Sequence, residues 1–152
     1  GVRGINIEED DEVVGMITYD PTAEDAAAHS ILVVSENGYG KRSDFEEYRK
    51  TNRGGKGVKT LNITEKTGSL VAIKNVTDEN DLMIINRSGL TIRMAVSGIK
   101  VAGRATQGVR LINIKEGDSI AAVSAVNKTE DENQVEVAQT PDQEVPVQET
   151  NN

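Results

Sequence analysis

The heptapeptide GVKTLNI that begins at Gly57 returns as GVRLINI at Gly108, 51 residues later, and an earlier version, GVRGINI, begins at Gly1. A repeat of about this length restricts a chain to an array of similar small units, each burying its apolar face against the next. The offset carries more than one string. It lays Ile31-Leu32-Val33-Val34 on Leu82-Met83-Ile84-Ile85, Gly38 on Gly89, Arg42 on Arg93 and Arg53 on Arg104, so the cations recur with the apolar positions.

The elements inside a unit are short and extended. Alternation over 58–63 predicts a strand with one apolar face, and similar patterns predict strands over 2–7, 13–17, 70–76, 90–94, 96–101, 109–114 and 120–126. The continuous apolar runs 31–34 and 82–85 read as short strands. Asn37-Gly38 between apolar residues marks a hairpin, and 45–48 forms one helical turn or an extended crossing. Each unit thus has about four strands and no helical pattern. This predicts an all-β, propeller-like array of about two four-stranded antiparallel blades over 1–126. Residues 20–30 have no counterpart in the second unit and are expected to be an inserted surface loop, which holds His29, the one histidine. A chain that opens at Gly1 inside a repeat unit is expected to be a piece of a longer protein.

Charge divides the chain. The net charge is −8, yet from Asn127 onward there are seven acids against one lysine, while the stretch from Arg87 to Lys115 holds six bases and no acid. The segment 127–152, with two prolines and no aromatic residue, cannot bury enough apolar surface to offset the entropy of ordering. It is expected to be a disordered acidic tail that competes with polyanions for the basic body. Local clusters decide what a surface attracts, and another surrounds Gly54-Gly55, with Lys50, Arg53, Lys56 and Lys59 on the two sides of the turn.

Other chemistries are poorly supported. The chain has no cysteine, hence no disulfide or thiolate metal site, and no apolar run of membrane-spanning length. The acidic turn 8–12 lacks the spaced acids and glycine of a calcium loop. Gly38-x-Gly40-Lys41 lacks the full spacing of a phosphate loop. No nucleophile, acid and base come together as a catalytic set, and four aromatic residues are too few for a platform that stacks single-stranded bases.

The strings ENGYGKR at Glu36, RGGKGVK at Arg53, DLMII at Asp81 and GRATQGVRLI at Gly103 together resemble the last blades of the C-terminal domain of the bacterial DNA gyrase A subunit. The resemblance covers 1–126 and implies a β-pinwheel, a propeller-like ring whose blades exchange strands and whose basic rim wraps duplex DNA without reading sequence. The family's heptad Gln-Arg-Arg-Gly-Gly-Lys-Gly is matched from Arg53 to Gly57, with Thr51 and Asn52 in its first two places, which implies a degenerate copy of a heptad in an earlier blade. The DNA-binding set expected on this basis is Lys41, Arg42, Arg49, Lys50, Arg53, Lys56 and Lys59 in one unit and Arg93, Lys100, Arg104 and Arg110 in the next. The resemblance further implies a cytoplasmic, nucleoid-associated heterotetramer with the gyrase B subunit. In that assembly ATP, Mg²⁺ and the cleaving tyrosine belong to other regions, and this piece contributes no catalytic residue or cofactor site. A topoisomerase IV C-terminal domain, similar in architecture, and a blade array that binds proteins remain the alternatives.

Overall fold

A computed structural model of the chain describes residues 1–128; the expected acidic tail lies, from residue 129 on, outside the described residues. The structure is built from seven strands: β1 (Ser30–Ser35), β2 (Tyr39–Ser43), β3 (Leu70–Val76), β4 (Asn80–Asn86), β5 (Thr91–Ala95), β6 (Val109–Arg110) and β7 (Ile120–Asn127). They form two antiparallel sheets, one in the order β3-β1-β2-β6 and one in the order β5-β4-β7. The all-β, bladed architecture expected from the repeat is therefore present. The second sheet has three strands rather than four among the described residues.

The two sheets repeat each other in detail. β1 and β2 pair from Ile31↔Ser43 to Val34↔Gly40, and β4 and β5 pair from Asp81↔Ala95 to Ile85↔Thr91. A register shift interrupts β1 between Val34 and Ser35, and β4 between Ile85 and Asn86, 51 residues later. Single 3-10 turns, Phe45–Glu47 and Val96–Gly98, follow β2 and β5 at the same offset. The second of these replaces the strand expected over 96–101. Val96 and Ile99 are both buried there, and their spacing of three suits a 3-10 turn, not a period of two.

The fourth strand of the first sheet comes from the second repeat. Val109 and Arg110 of β6 pair with Gly40 and Tyr39 of β2, and the Leu111 N–H continues the exchange to the Gly38 carbonyl at 2.8 Å. Gly108 makes this approach possible. Its φ is +78°, and a Cβ there would lie 2.5 Å from the Gly40 carbonyl oxygen. Gly38, at φ +87°, makes the β1–β2 hairpin.

Burial follows the layers. Leu32, Val34, Ala72 and Val76 of the first sheet pack with Leu82, Ile84, Ile120 and Val123 of the second, joined by Val96, Ile99 and Ile112. The opposite face of the first sheet carries Ile31 and Val33, covered by Leu61, Ile17, Phe45 and Tyr48. With both faces covered, every residue of β1 is buried. The segments 2–7, 13–17 and 58–63, expected as strands, form no ladder, and the strand expected over 109–114 is limited to Val109–Arg110. Ile17 and Leu61 pack two of the three segments against the first sheet, 58–63 is tied further by an Asn62 N–H bond to the Thr106 carbonyl, and 2–7 bonds to the Gly54-Gly55 turn.

The inserted segment carries a 3-10 turn, Ala26–Ala28, and His29 is half-buried, not solvated as its sequence surroundings suggested. Its Nδ1 lies 2.8 Å from Asn75 Oδ1 and its Nε2 lies 3.2 Å from Asp25 Oδ2. Asn75 Nδ2 donates to the Thr18 carbonyl, which fixes the amide with its oxygen toward the ring. Both ring nitrogens therefore face acceptors. These two hydrogen bonds, Asn75 first and then Asp25, raise the pKa of His29 against the opposing effect of burial.

Because the folded pKa is raised, this stabilisation is complete below the unfolded value of about 6.5 and is lost as pH rises through the folded value. Amide exchange over 18–29 is expected to quicken relative to β1 across that window, after correction for intrinsic exchange, and His29→Ala is expected to abolish the difference. Gly108→Ala is expected to cost about 1–3 kcal/mol by urea unfolding. Gly117→Ala should cost less, since that glycine shares the positive φ but has open space where a Cβ would sit.

Candidate nucleic-acid interface

Between the turn that follows β2 and the buried Leu61 the chain makes a loop, 49–59, with five cations and no acid. Arg49, Lys50, Arg53, Lys56 and Lys59 are all exposed. The loop is pinched at its base by a hydrogen bond between the hydroxyls of Tyr48 and Thr60. At its tip Gly54 and Gly57 adopt positive φ. The Gly54 N–H donates to the Gly4 carbonyl, and the Asn6 N–H donates to the Gly55 carbonyl, both at 2.9 Å.

That contact recurs one unit along. Asn62, which matches Asn6 in the heptapeptide, donates its N–H to the carbonyl of Thr106, which matches Gly55 at the 51-residue offset. One of the two bonds between turn and heptapeptide therefore recurs from one unit to the next. Five like charges on so short a loop repel one another, and the arrangement suits a polyanion that neutralises them.

The remaining expected contacts divide. Lys41 and Arg42, placed by sequence on the rim, are interior. Lys41 is 1% exposed and Arg42 5%, because every residue of β2 is covered. Lys41 Nζ donates to the carbonyls of Gly103 (2.7 Å), Arg104 and Thr106 (3.3 Å) and to Thr106 Oγ1 (3.3 Å). Its pKa is lowered by burial and by the Arg104 charge, against an opposing pull from Glu47. Arg42 binds Asp78 at 2.6 Å, Ser30 Oγ at 2.9 Å and the Val96 and Ile99 carbonyls.

Arg104 is half-buried and turns back to the first unit, donating to the carbonyls of Glu47 (2.9 Å) and Lys59. Arg93 on β5 pairs with Asp81 at 2.8 Å, in the place where Arg42 meets Ser30. Lys100 is exposed next to the exposed Val101. Arg110 lies across Tyr39, with its guanidinium carbon 5.4 Å from the ring centroid and its Nη2 3.0 Å from the hydroxyl. The structure thus exposes the five loop cations together on one loop and spreads Arg93, Lys100 and Arg110 elsewhere. Two further cations belong with these: Lys66, 5.5 Å from the Tyr39 ring centroid, and exposed Arg3. The heptapeptide repeat signals Arg3, since it aligns Arg3, Lys59 and Arg110.

Among the described residues no group of three or more His, Asp or Glu side chains could hold a metal ion, and no helix is long and apolar enough to cross a membrane. A sequence profile of the family described as "DNA gyrase C-terminal domain, beta-propeller" matches residues 1–20, 29–77 and 80–127. The chain belongs to the DNA gyrase C-terminal domain family. The last two matched stretches coincide with the two sheet-forming units, and the gap at 21–28 falls in the inserted segment. The chain is 48% identical over 131 residues to the DNA gyrase A subunit of Staphylococcus epidermidis. It is 47% identical over 132 residues to that of Staphylococcus aureus strain MRSA252. These alignments cover 86% and 87% of this chain and 14% of each relative, so the chain spans a small part of their length.

Among solved structures, a DNA gyrase A C-terminal domain aligns with a TM-score of 0.60 and 26% identity, over 63% of this chain and 33% of that one. The C-terminal domain of a DNA topoisomerase IV aligns with a TM-score of 0.71 at 22% identity, over 84% of this chain and 38% of that one. The latter shows the shared fold.

In this gyrase-family domain the Arg110 hydrogen bond, reinforced by the charges of Arg110 and Lys66, lowers the pKa of the Tyr39 hydroxyl against desolvation. Arg110→Ala is expected to move the Tyr39 titration upward, toward the ordinary value of about 10, as read by ultraviolet absorbance across alkaline pH.

Proposed function

We propose that this chain is a duplex-DNA-wrapping surface of a gyrase A subunit. The observation that carries the reading is the loop 49–59, whose five exposed cations, with no acid among them, are held by a contact that recurs from one repeat to the next. Lysine and arginine side chains meeting phosphates position a duplex without reading its bases. Curving DNA smoothly costs roughly 1–6 kcal/mol per 20–30 base pairs, so phosphate contacts repeated along a bladed rim are what wrapping needs.

In this reading the domain serves the ATP-dependent negative supercoiling of a type II topoisomerase and works with a gyrase B subunit. ATP and Mg²⁺ act elsewhere in that enzyme, and DNA cleavage does too. The gyrase assignment is preferred to topoisomerase IV because the two relatives near 48% identity are gyrase A subunits.

Arg53, Lys56 and Lys59 changed together to Ala are expected to weaken binding to unrelated duplexes alike. The slope of log affinity against log salt should fall by about 0.9 for each phosphate contact removed. Fluorescence anisotropy across a salt series measures both. An unchanged slope would detach these side chains from DNA, and salt-insensitive binding to a protein would favour a scaffold instead.

A further inference from the structure

Lys41 is a buried ammonium with no carboxylate bonded to it among the described residues, and burying a charge is costly unless its surroundings answer it. Its hydrogen-bond partners are three carbonyl oxygens and the Thr106 hydroxyl, all in 103–106 of the following unit. The matching place in the second unit is Ile92, so an apolar side chain fits this position of a blade. The charge on Lys41 is explained by what it grips. The gripped turn carries Arg104, whose guanidinium holds the carbonyls of Glu47 and Lys59. Those two residues bracket the base of the cationic loop, where Tyr48 meets Thr60. The Thr106 carbonyl adds a bond from the Asn62 N–H at 3.0 Å. The neck of the loop is therefore fastened by the neighbouring unit, and Lys41 fastens that neighbour.

We infer that Lys41 and Arg104 are positioning residues for DNA, forming a staple between units that holds loop 49–59 in shape while making no phosphate contact themselves. This rests on the DNA-wrapping reading above for its effect on affinity, but the staple itself is a matter of the loop's order. Without it, five mutually repelling cations at the end of a loosened neck adopt many arrangements, and binding DNA must then bear the entropy of ordering them.

The test uses the 152-residue chain with Lys41→Met, which keeps an unbranched side chain and removes the charge, and separately Arg104→Met. Each is expected to raise amide exchange over 49–59 severalfold while leaving β1 and β4 protected, and to weaken duplex binding by roughly tenfold. The salt slope is expected to stay as in the parent chain, since no phosphate contact is lost. A slope lowered by about 0.9 would make the substituted residue a direct DNA ligand and overturn the inference. So would unchanged exchange over 49–59, or exchange raised equally in the loop and in β1 and β4, which would show a general loss of stability. If Lys41→Met does not fold, Arg104→Met, at a half-buried site, decides the matter by the same readings. A parent chain that binds no duplex at low salt would sink the wrapping proposal alone, because the exchange comparison still tests the staple.

Discussion

An edge strand carries a row of backbone groups that pair with something or attract something unwanted. In this chain the edge of β2 is closed by residues of the following repeat. β6 supplies two pairs, Leu111 continues them to Gly38, and the Ala102 N–H reaches the Arg42 carbonyl at 2.8 Å. Much else follows from that closure. It covers all of β2, which is why a strand reading Tyr-Gly-Lys-Arg-Ser is buried throughout. It also brings the 103–106 turn against the first unit, where Lys41 and Arg104 tie the two together.

The two interior cations show how a polar strand is accommodated when another unit lies over it. Arg42 uses Nη1 for Asp78 and for carbonyls of the second unit and Nε for Ser30, while Lys41 depends on carbonyl and hydroxyl oxygens of the next turn. Breaking such a buried set leaves a charge or a carbonyl unanswered, and that cost exceeds what forming the set contributes. The arrangement specifies which unit sits beside which, and at what height.

Features that depend on near neighbours were legible in the sequence. The continuous apolar runs of β1 and β4 and the Asn37-Gly38 hairpin came through, as did the repeat that makes the two sheets alike. The segments 2–7, 13–17 and 58–63 have a strand's alternation, but alternation names a face and leaves the partner open, and without a ladder they remain extended segments. Lys41 and Arg42 look like surface cations because their acceptors lie far along the chain, Gly103 being 62 residues beyond Lys41. The loop cations were readable as a group, since glycines and the absence of acids keep them together without help from the rest of the fold. Arg104 was not, because its role depends on carbonyls of the other unit.

Fastening the base of loop 49–59 to the neighbouring unit has a mechanical meaning. A stiff polymer held in a curve pulls outward on whatever grips it. In the proposed wrapping, that tension would not end in the loop itself. It would pass through Arg104 into the 103–106 turn and through Lys41 into β2, so that both units would share the load. On that reading the joint between units would be part of the grip, and an added repeat of the same design would stiffen its neighbour as well as lengthen the track.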